Sequence, residues 1–195
     1  YVPYYGMTEQ FLCPPGTYNP DTGQISCYDT TPGHYTDTEG NTDENPCPAG
    51  TYQPYTGQLS CIDVERGNYS VSGSAVQIVC PVGTYQPDTG QPSCLDADPG
   101  HYVSEEQQLD QTACSPGTYQ PVAGQSSCFS ASEGNYAPGF GSAVQIPCPV
   151  GTYSPSTGRD SCLPADPGYY IHKEMATGQT PCPTGSHQPT PASIG

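Results

Sequence analysis

The chain has 195 residues, carries three Lys or Arg against nineteen Asp or Glu, and has a formal net charge of −16. That balance excludes nucleic acid as a partner and direct membrane insertion or binding to anionic lipid, because a polyanion repels both surfaces. Leu, Ile, Val and Phe number 24 while Gly and Pro number 47; the composition is that of a chain too poor in aliphatic residues to build an ordinary core, and no stretch approaches the roughly 18–20 apolar residues of a membrane span.

Eleven cysteines replace the missing core, and their spacing is regular. Cys13, Cys47, Cys80, Cys114, Cys148 and Cys182 each precede a Pro/Gly turn and recur every 34 residues, once 33. Cys27, Cys61, Cys94, Cys128 and Cys162 follow the first five at an offset of fourteen. A period of this size is the signature of stacked repeats. The expected fold is therefore a set of small, disulfide-rich β-hairpin tandem repeats, an elongated rod or solenoid of about 34-residue units. Almost no helix is expected, since the prolines interrupt any helical periodicity.

In chain order, residues 1–12 read as the end of a preceding repeat, because Tyr1 lies as far ahead of Cys13 as Tyr35 does ahead of Cys47. Repeats follow at 13–46, 47–79, 80–113, 114–147 and 148–181, with a truncated sixth at 182–195. The register would place the partner of Cys182 just past Gly195, so Cys182 is expected to be unpaired and the chain to be a window from a longer array.

Each repeat opens as C-P-x-G-T-Y-x-P-x-T-G-Q-x-S-C, continues through an acidic stretch to G-x-Y, and ends in a variable arm. Thr-Tyr and Gln-x-Ser-Cys have strand character and Pro-x-Thr-Gly is a turn, which predicts a small irregular hairpin. A disulfide between its ends would close a loop of about 15 residues and contribute about 3 kcal/mol on the chain-entropy estimate. The scheme adopted pairs Cys13 with Cys27, Cys47 with Cys61, Cys80 with Cys94, Cys114 with Cys128 and Cys148 with Cys162. A scheme joining Cys27 to Cys47 and onward, with Cys13 free, fits the spacing as well. Tyr18, Tyr52, Tyr85, Tyr119 and Tyr153 fill one recurring slot, and Tyr35, Tyr69, Tyr102, Tyr136 and Tyr170 a second. Both rows are read as packing between repeats in place of aliphatic side chains. The arms after Cys61 and Cys128 share G-S-A-V-Q-I (Gly73 to Ile78, Gly141 to Ile146), a second period twice as long, which fits alternate repeats meeting different neighbours and fits recent duplication of a two-repeat unit equally well.

Chemistry-bearing constellations are sparse. His34, His101, His172 and His187 do not cluster, and the cysteines lack C-x-x-C spacing, which argues against zinc. No cysteine or serine stands beside a histidine and an acid as nucleophilic catalysis needs, so no enzyme and no cofactor are expected. Asp29, Asp63 with Glu65, Asp96 with Asp98, and Asp166 form oxygen-rich stretches that suggest calcium as a lesser reading. The fourth unit has Ser130 and Ser132 there, and calcium loops need several fixed ligands, so a solvated acidic face is preferred. Asn68-Tyr69-Ser70 is a sequon that makes Asn68 a glycosylation candidate, and the Pro-, Ser- and Thr-rich composition suits O-linked sugar.

The strings Cys47-Pro48-Ala49-Gly50-Thr51-Tyr52 and Thr56-Gly57-Gln58-Leu59-Ser60-Cys61 resemble the cysteine-rich repeat of ephrin-receptor-like and tumour-necrosis-factor-receptor-like modules, the GCC2/GCC3 type. The resemblance covers nearly the whole chain. It implies an extracellular array in which the first and second cysteines close the hairpin. That family has a further cysteine where this chain has Thr30, Val64, Ala97, Ala131 and Ala165, so each unit lacks a cross-link the family has. The resulting expectation is an extracellular, cell-surface structural protein forming a rod, stalk or filament by self-assembly, carrying glycans and with copies of itself as partner. The alternative is a ligand-binding receptor or adhesion ectodomain.

Overall fold

The computed structural model describes residues 11–185. The expectations for residues 1–10 and 186–195, His187 among them, lie outside the described residues. Within them there is no helix; the chain is a repeat array of ten two-stranded antiparallel hairpins. These are β1 (Thr17–Tyr18) with β2 (Tyr28–Asp29), β3 (His34–Tyr35) with β4 (Asn45–Pro46), β5 (Thr51–Tyr52) with β6 (Ile62–Asp63), β7 (Asn68–Tyr69) with β8 (Ile78–Val79), and β9 (Thr84–Tyr85) with β10 (Leu95–Asp96). They continue with β11 (His101–Tyr102) and β12 (Thr112–Ala113), β13 (Thr118–Tyr119) and β14 (Phe129–Ser130), β15 (Asn135–Tyr136) and β16 (Ile146–Pro147), β17 (Thr152–Tyr153) and β18 (Leu163–Pro164), and β19 (Tyr169–Tyr170) and β20 (Thr180–Pro181).

The hairpins recur every 17 residues, once 16, so each 34-residue unit holds two of them. The variable arm expected from the sequence is a second copy of the hairpin. The returning strand also differs from expectation. It is the residue pair after the second cysteine, as in Tyr18 opposite Tyr28, and not Gln-x-Ser-Cys. The physical reason is that the Thr-Gly-Gln segment gives its backbone groups to neighbouring hairpins: Gly57 N–H donates to the Thr30 carbonyl at 2.9 Å and the Gln58 carbonyl accepts from Thr36 N–H at 3.2 Å.

A tight turn starts every hairpin. In Pro14-Pro15-Gly16-Thr17 the Thr17 N–H donates to the Pro14 carbonyl, and Gly16 sits at φ +84°, the third position of a type II turn. The tyrosine next to the turn then starts a strand that aromatic and β-branched residues favour. Two residues per strand cannot stand alone, and the hairpins are joined by a backbone lock.

The chain divides into two compact units, Tyr1–Pro81 with Tyr85–Leu95 and Glu106–Leu109, and Val82–Thr84 with Asp96–Glu105 and Asp110–Gly195. In the first, the N–H groups of Gly16, Gly33 and Gly50 donate to the carbonyls of Thr36, Gln53 and Ser70 in the next hairpin, at 2.7–2.9 Å. In the second, Gly100, Gly117 and Gly134 donate in the same way to Gln120, Ala137 and Ser154. The turn glycine also meets the loop two hairpins on: a Cβ at Gly33 would collide with the Gly73 carbonyl, and one at Gly117 with the Gly158 carbonyl.

The core is a file of short side chains. Cys47, Val64 and Cys80 in the first unit, and Ala97, Cys114, Ala131, Cys148 and Ala165 in the second, are all fully buried. Thr36, Gln53, Ser70 and Gln86 lie beside them in the first unit, Gln120, Ala137 and Ser154 in the second. The expected tyrosine rows are only half-buried. Tyr18 meets Tyr28, and Tyr119 meets Phe129, across the strand pair at 6.1 Å, while Tyr153 packs against Ala165 with Ile171 and Ala176 of the following hairpin.

Candidate functional site

Two kinds of hairpin alternate, distinguished by how they close. Disulfides join Cys13 to Cys27, Cys47 to Cys61, Cys80 to Cys94, Cys114 to Cys128 and Cys148 to Cys162, closing the odd-numbered hairpins. Cys182 is free and half-buried. Disulfides form and persist in oxidising compartments, so this density marks a chain that matures in one. Among the described residues no helix is long and apolar enough to cross a membrane.

In the even-numbered hairpins the two cysteine positions are taken by a short buried residue and by a glutamine or glutamate. The pairs are Thr30 and Glu44, Val64 and Gln77, Ala97 and Gln111, Ala131 and Gln145, and Ala165 and Gln179. The long side chain folds back onto the turn. Gln77 Oε1 accepts from Glu65 N–H at 3.0 Å, Gln145 Oε1 from Ser132 N–H at 2.7 Å, Gln179 Oε1 from Asp166 N–H at 2.8 Å, and Glu44 Oε2 from Thr31 N–H at 2.6 Å. Thr30, Val64, Ala97, Ala131 and Ala165 therefore hold the first closure position of a second hairpin, tied by a hydrogen-bonded clamp instead of a sulfur bridge.

This clamp occupies several acids that suggested calcium. Asp98 Oδ2 accepts from Gln111 Nε2, and Asp166 Oδ2 from Gln179 Nε2, both at 2.6 Å. Asp29 and Asp63 lie against the loop glycines Gly57 and Gly90, and Asp96 against Gly124. Among the described residues no three His, Cys, Asp or Glu side chains gather as a metal cluster would. His34 Nδ1 lies 3.7 Å from Glu44 Oε1, His172 stacks on Tyr170, and His101 Nδ1 is buried without a partner.

Asn68, the glycosylation candidate, is buried. Its side chain is 1% exposed and its amide donates to the Arg66 carbonyl at 3.0 Å. Asn135 makes the equivalent bond to Glu133. The sequon asparagine is part of turn closure, and the folded chain does not present it.

A second set of clamps lies where the repeat pattern reads as variable. At the residue after Gly-Thr-Tyr, Gln53, Gln86 and Gln120 are buried and donate from Nε2 to the carbonyls of Ser60, Ser93 and Ser127 at 2.7–2.8 Å. Asn19 does the same to Ser26. Their signal was the recurrence of Asn or Gln at that slot.

The exposed surface alternates too. Flanking the clamp, hairpin β7–β8 exposes Val76 and Ile78, and hairpin β15–β16 exposes Val144 and Ile146, to matching extents of 62% and 61% for the valines. The corresponding residues are Asp43 and Asn45 in β3–β4, and Asp110 and Thr112 in β11–β12. Two clefts of about 210 and 260 Å³, beside Leu12 and Asn41 and beside Tyr102 and Cys128, fall below the roughly 300–1,000 Å³ of small-molecule sites. A comparison with protein-family models finds no family that matches the chain, and a comparison with curated proteins finds no match.

Proposed function

We propose that this chain is an extracellular structural protein, a non-catalytic repeat array that works by extension as a rod, stalk or filament and assembles with copies of itself. The observation that carries the reading is the lock. One pair of backbone contacts joins hairpin to hairpin along both units, with the buried side chains committed to clamps and closures. Such a device adds length by nearest-neighbour contacts and needs no other core, as in repeat proteins generally. Kinship with the ephrin-receptor-like repeat, GCC2/GCC3 type, rests on the Cys47 to Cys61 string and on hairpin closure by its two cysteines.

Electron microscopy of the native material tests this. Ordered fibres with contacts recurring at one or two repeats are expected. Single chains without self-contact would overturn it in favour of a receptor or adhesion ectodomain. Glycosylation belongs to the same proposal, on exposed Ser, Thr or Pro rather than on Asn68. An intact mass above the 20.5 kDa of the sequence is the expected result.

A further inference from the structure

The residue before the second cysteine is serine in every bridged hairpin, as Ser26, Ser60, Ser93, Ser127 and Ser161, and each is exposed. The fold uses the backbone of this position and leaves the side chain idle. Asn19, Gln53, Gln86 and Gln120 donate to the carbonyls of the first four. The hydroxyls of those four make no hydrogen bond among the described residues, and that of Ser161 reaches only its neighbour Asp160, at 3.0 Å. Other recurring hydroxyls are employed: Thr17, Thr51 and Thr152 each donate to a proline carbonyl of the turn at 2.7–2.8 Å. The clamped hairpins show that the backbone does not require serine here, since before the clamp residue they carry Asp43, Val76, Asp110, Val144 and Gly178. Nor have the bridged hairpins kept their exposed positions unchanged, for the residue ahead of the serine runs through Ile25, Leu59, Pro92, Ser126 and Asp160. A side chain held constant where the fold does not use it, beside one that varies freely, serves something outside the fold.

Resting on the glycosylation reading above, we propose that these serines are the sites of O-linked sugar, one on each bridged hairpin. The step is substitution at a sugar. Serine Oγ attacks the anomeric carbon of a phosphate-activated sugar, the new C–O bond replaces the bond to the phosphate leaving group, and the hydroxyl proton passes to a base of the transferase. The surroundings fit a saccharide. On the far side of the bridged cysteine stand Tyr28, Ile62, Leu95 and Phe129 in the first four repeats, 44–55% exposed. A sugar covers such side chains with its C–H face and keeps the outer surface wet, which removes apolar surface from a chain with little core to hide it in. Phosphate on the same hydroxyl would add charge to a chain already at −16. An oxidising compartment and a Pro-, Ser- and Thr-rich chain are the setting in which O-linked sugar is found.

The test is mass spectrometry of the whole chain as isolated from its source, with electron-transfer fragmentation so that the glycosidic bond survives and each site is placed. Ser104 is the control: it is exposed, in a clamped hairpin, at a position where other repeats have Asp37, Val71 and Pro138. Saccharide on the five serines and a bare Ser104 are expected. Ser60→Ala with Ser93→Ala, made in the same host, should lose the glycans of two repeats from the intact mass while all disulfides stay closed, so that the loss is not one of folding. Bare serines with saccharide elsewhere, the loop residues Thr22 and Thr56 included, would overturn the assignment and leave the glycosylation reading standing. Equal occupancy of Ser104 would overturn it as well, because exposure alone would then select the site. Phosphate in place of saccharide on the five serines would overturn the sugar. A chain with no saccharide anywhere would overturn both.

Discussion

Hairpin β13–β14, closed by Cys114 and Cys128, and its neighbour β15–β16, clamped by Gln145, have the same strands, turn and lock. They differ in how the end of the loop is tied to the turn. The sulfur bridge acts on the unfolded chain, removing conformations worth about 3 kcal/mol for a loop of this length. The glutamine acts on the folded chain alone and contributes about 1 kcal/mol. A clamped hairpin must therefore take more of its stability from the bridged hairpins on either side. Alternation spaces the covalent anchors so that the clamped hairpins from β3–β4 to β15–β16 each lie between two bridged ones, which nearest-neighbour coupling then stabilises.

The largest expected effect is one the two kinds share. Gly117→Ala and Gly134→Ala force a Cβ into the carbonyls of Gly158 and Met175 at backbone angles of φ +85° and +77°. Each should cost about 3 kcal/mol or more, by strain and collision together, in denaturant melts followed by amide exchange. A clear difference between the two would mean that the lock is not common to both kinds. Next comes an exchange of closure chemistry. Ala131→Cys with Gln145→Cys, at the same offset of fourteen as the natural bridges, should form a sixth disulfide, visible by mass, and gain roughly 3 kcal/mol. Failure to oxidise would show that the two closures are not geometrically equivalent. Gln145→Ala should cost about 1 kcal/mol, seen as faster exchange confined to β15–β16 and the turn before it.

Smaller effects sharpen the contrast. Gln107 and Met175 stand at φ +61° and +57°, at the loop position that Gly57, Gly90 and Gly124 occupy elsewhere. Gln107→Gly should stabilise by about 1 kcal/mol, since a side chain in this region is strained. The smallest effect is a titration. Burial, and then the carboxylates of Glu44 and Asp43 with Tyr28, push the Tyr18 hydroxyl above the ordinary tyrosine range. The fold thus favours neutral Tyr18. Its contribution to stability is present below the ordinary pKa near 10 and is lost as pH rises through the raised value. Ultraviolet titration of Glu44→Gln should show Tyr18 ionising at lower pH than in the wild type.

Particular residues show how much was legible. The disulfide-closed hairpins could be read because cysteine and the Pro-Gly turn are chemically distinctive and recur at fixed offsets. Tyr18 and Tyr35 stand at one structural position 17 residues apart, but they were assigned to two slots because cysteine marks only every second hairpin. Gln77, Gln111, Gln145 and Gln179 are not legible as clamps because a clamp glutamine looks like a surface glutamine until the turn it bonds is placed beside it. The burial of Asn68 is not legible for the same reason, since a sequon states chemistry and not exposure.

Composition and spacing by themselves determined that this chain is a disulfide-rich tandem array, without helix among the described residues, because those properties depend on near neighbours along the sequence. Only the tertiary structure decided that each repeat is two hairpins, that hydrogen-bonded clamps take the place of every second bridge, and which valines face outward. Those outcomes depend on contacts between residues 9 to 41 positions apart, where the partner of a backbone N–H is set by stacking and not by the residue beside it.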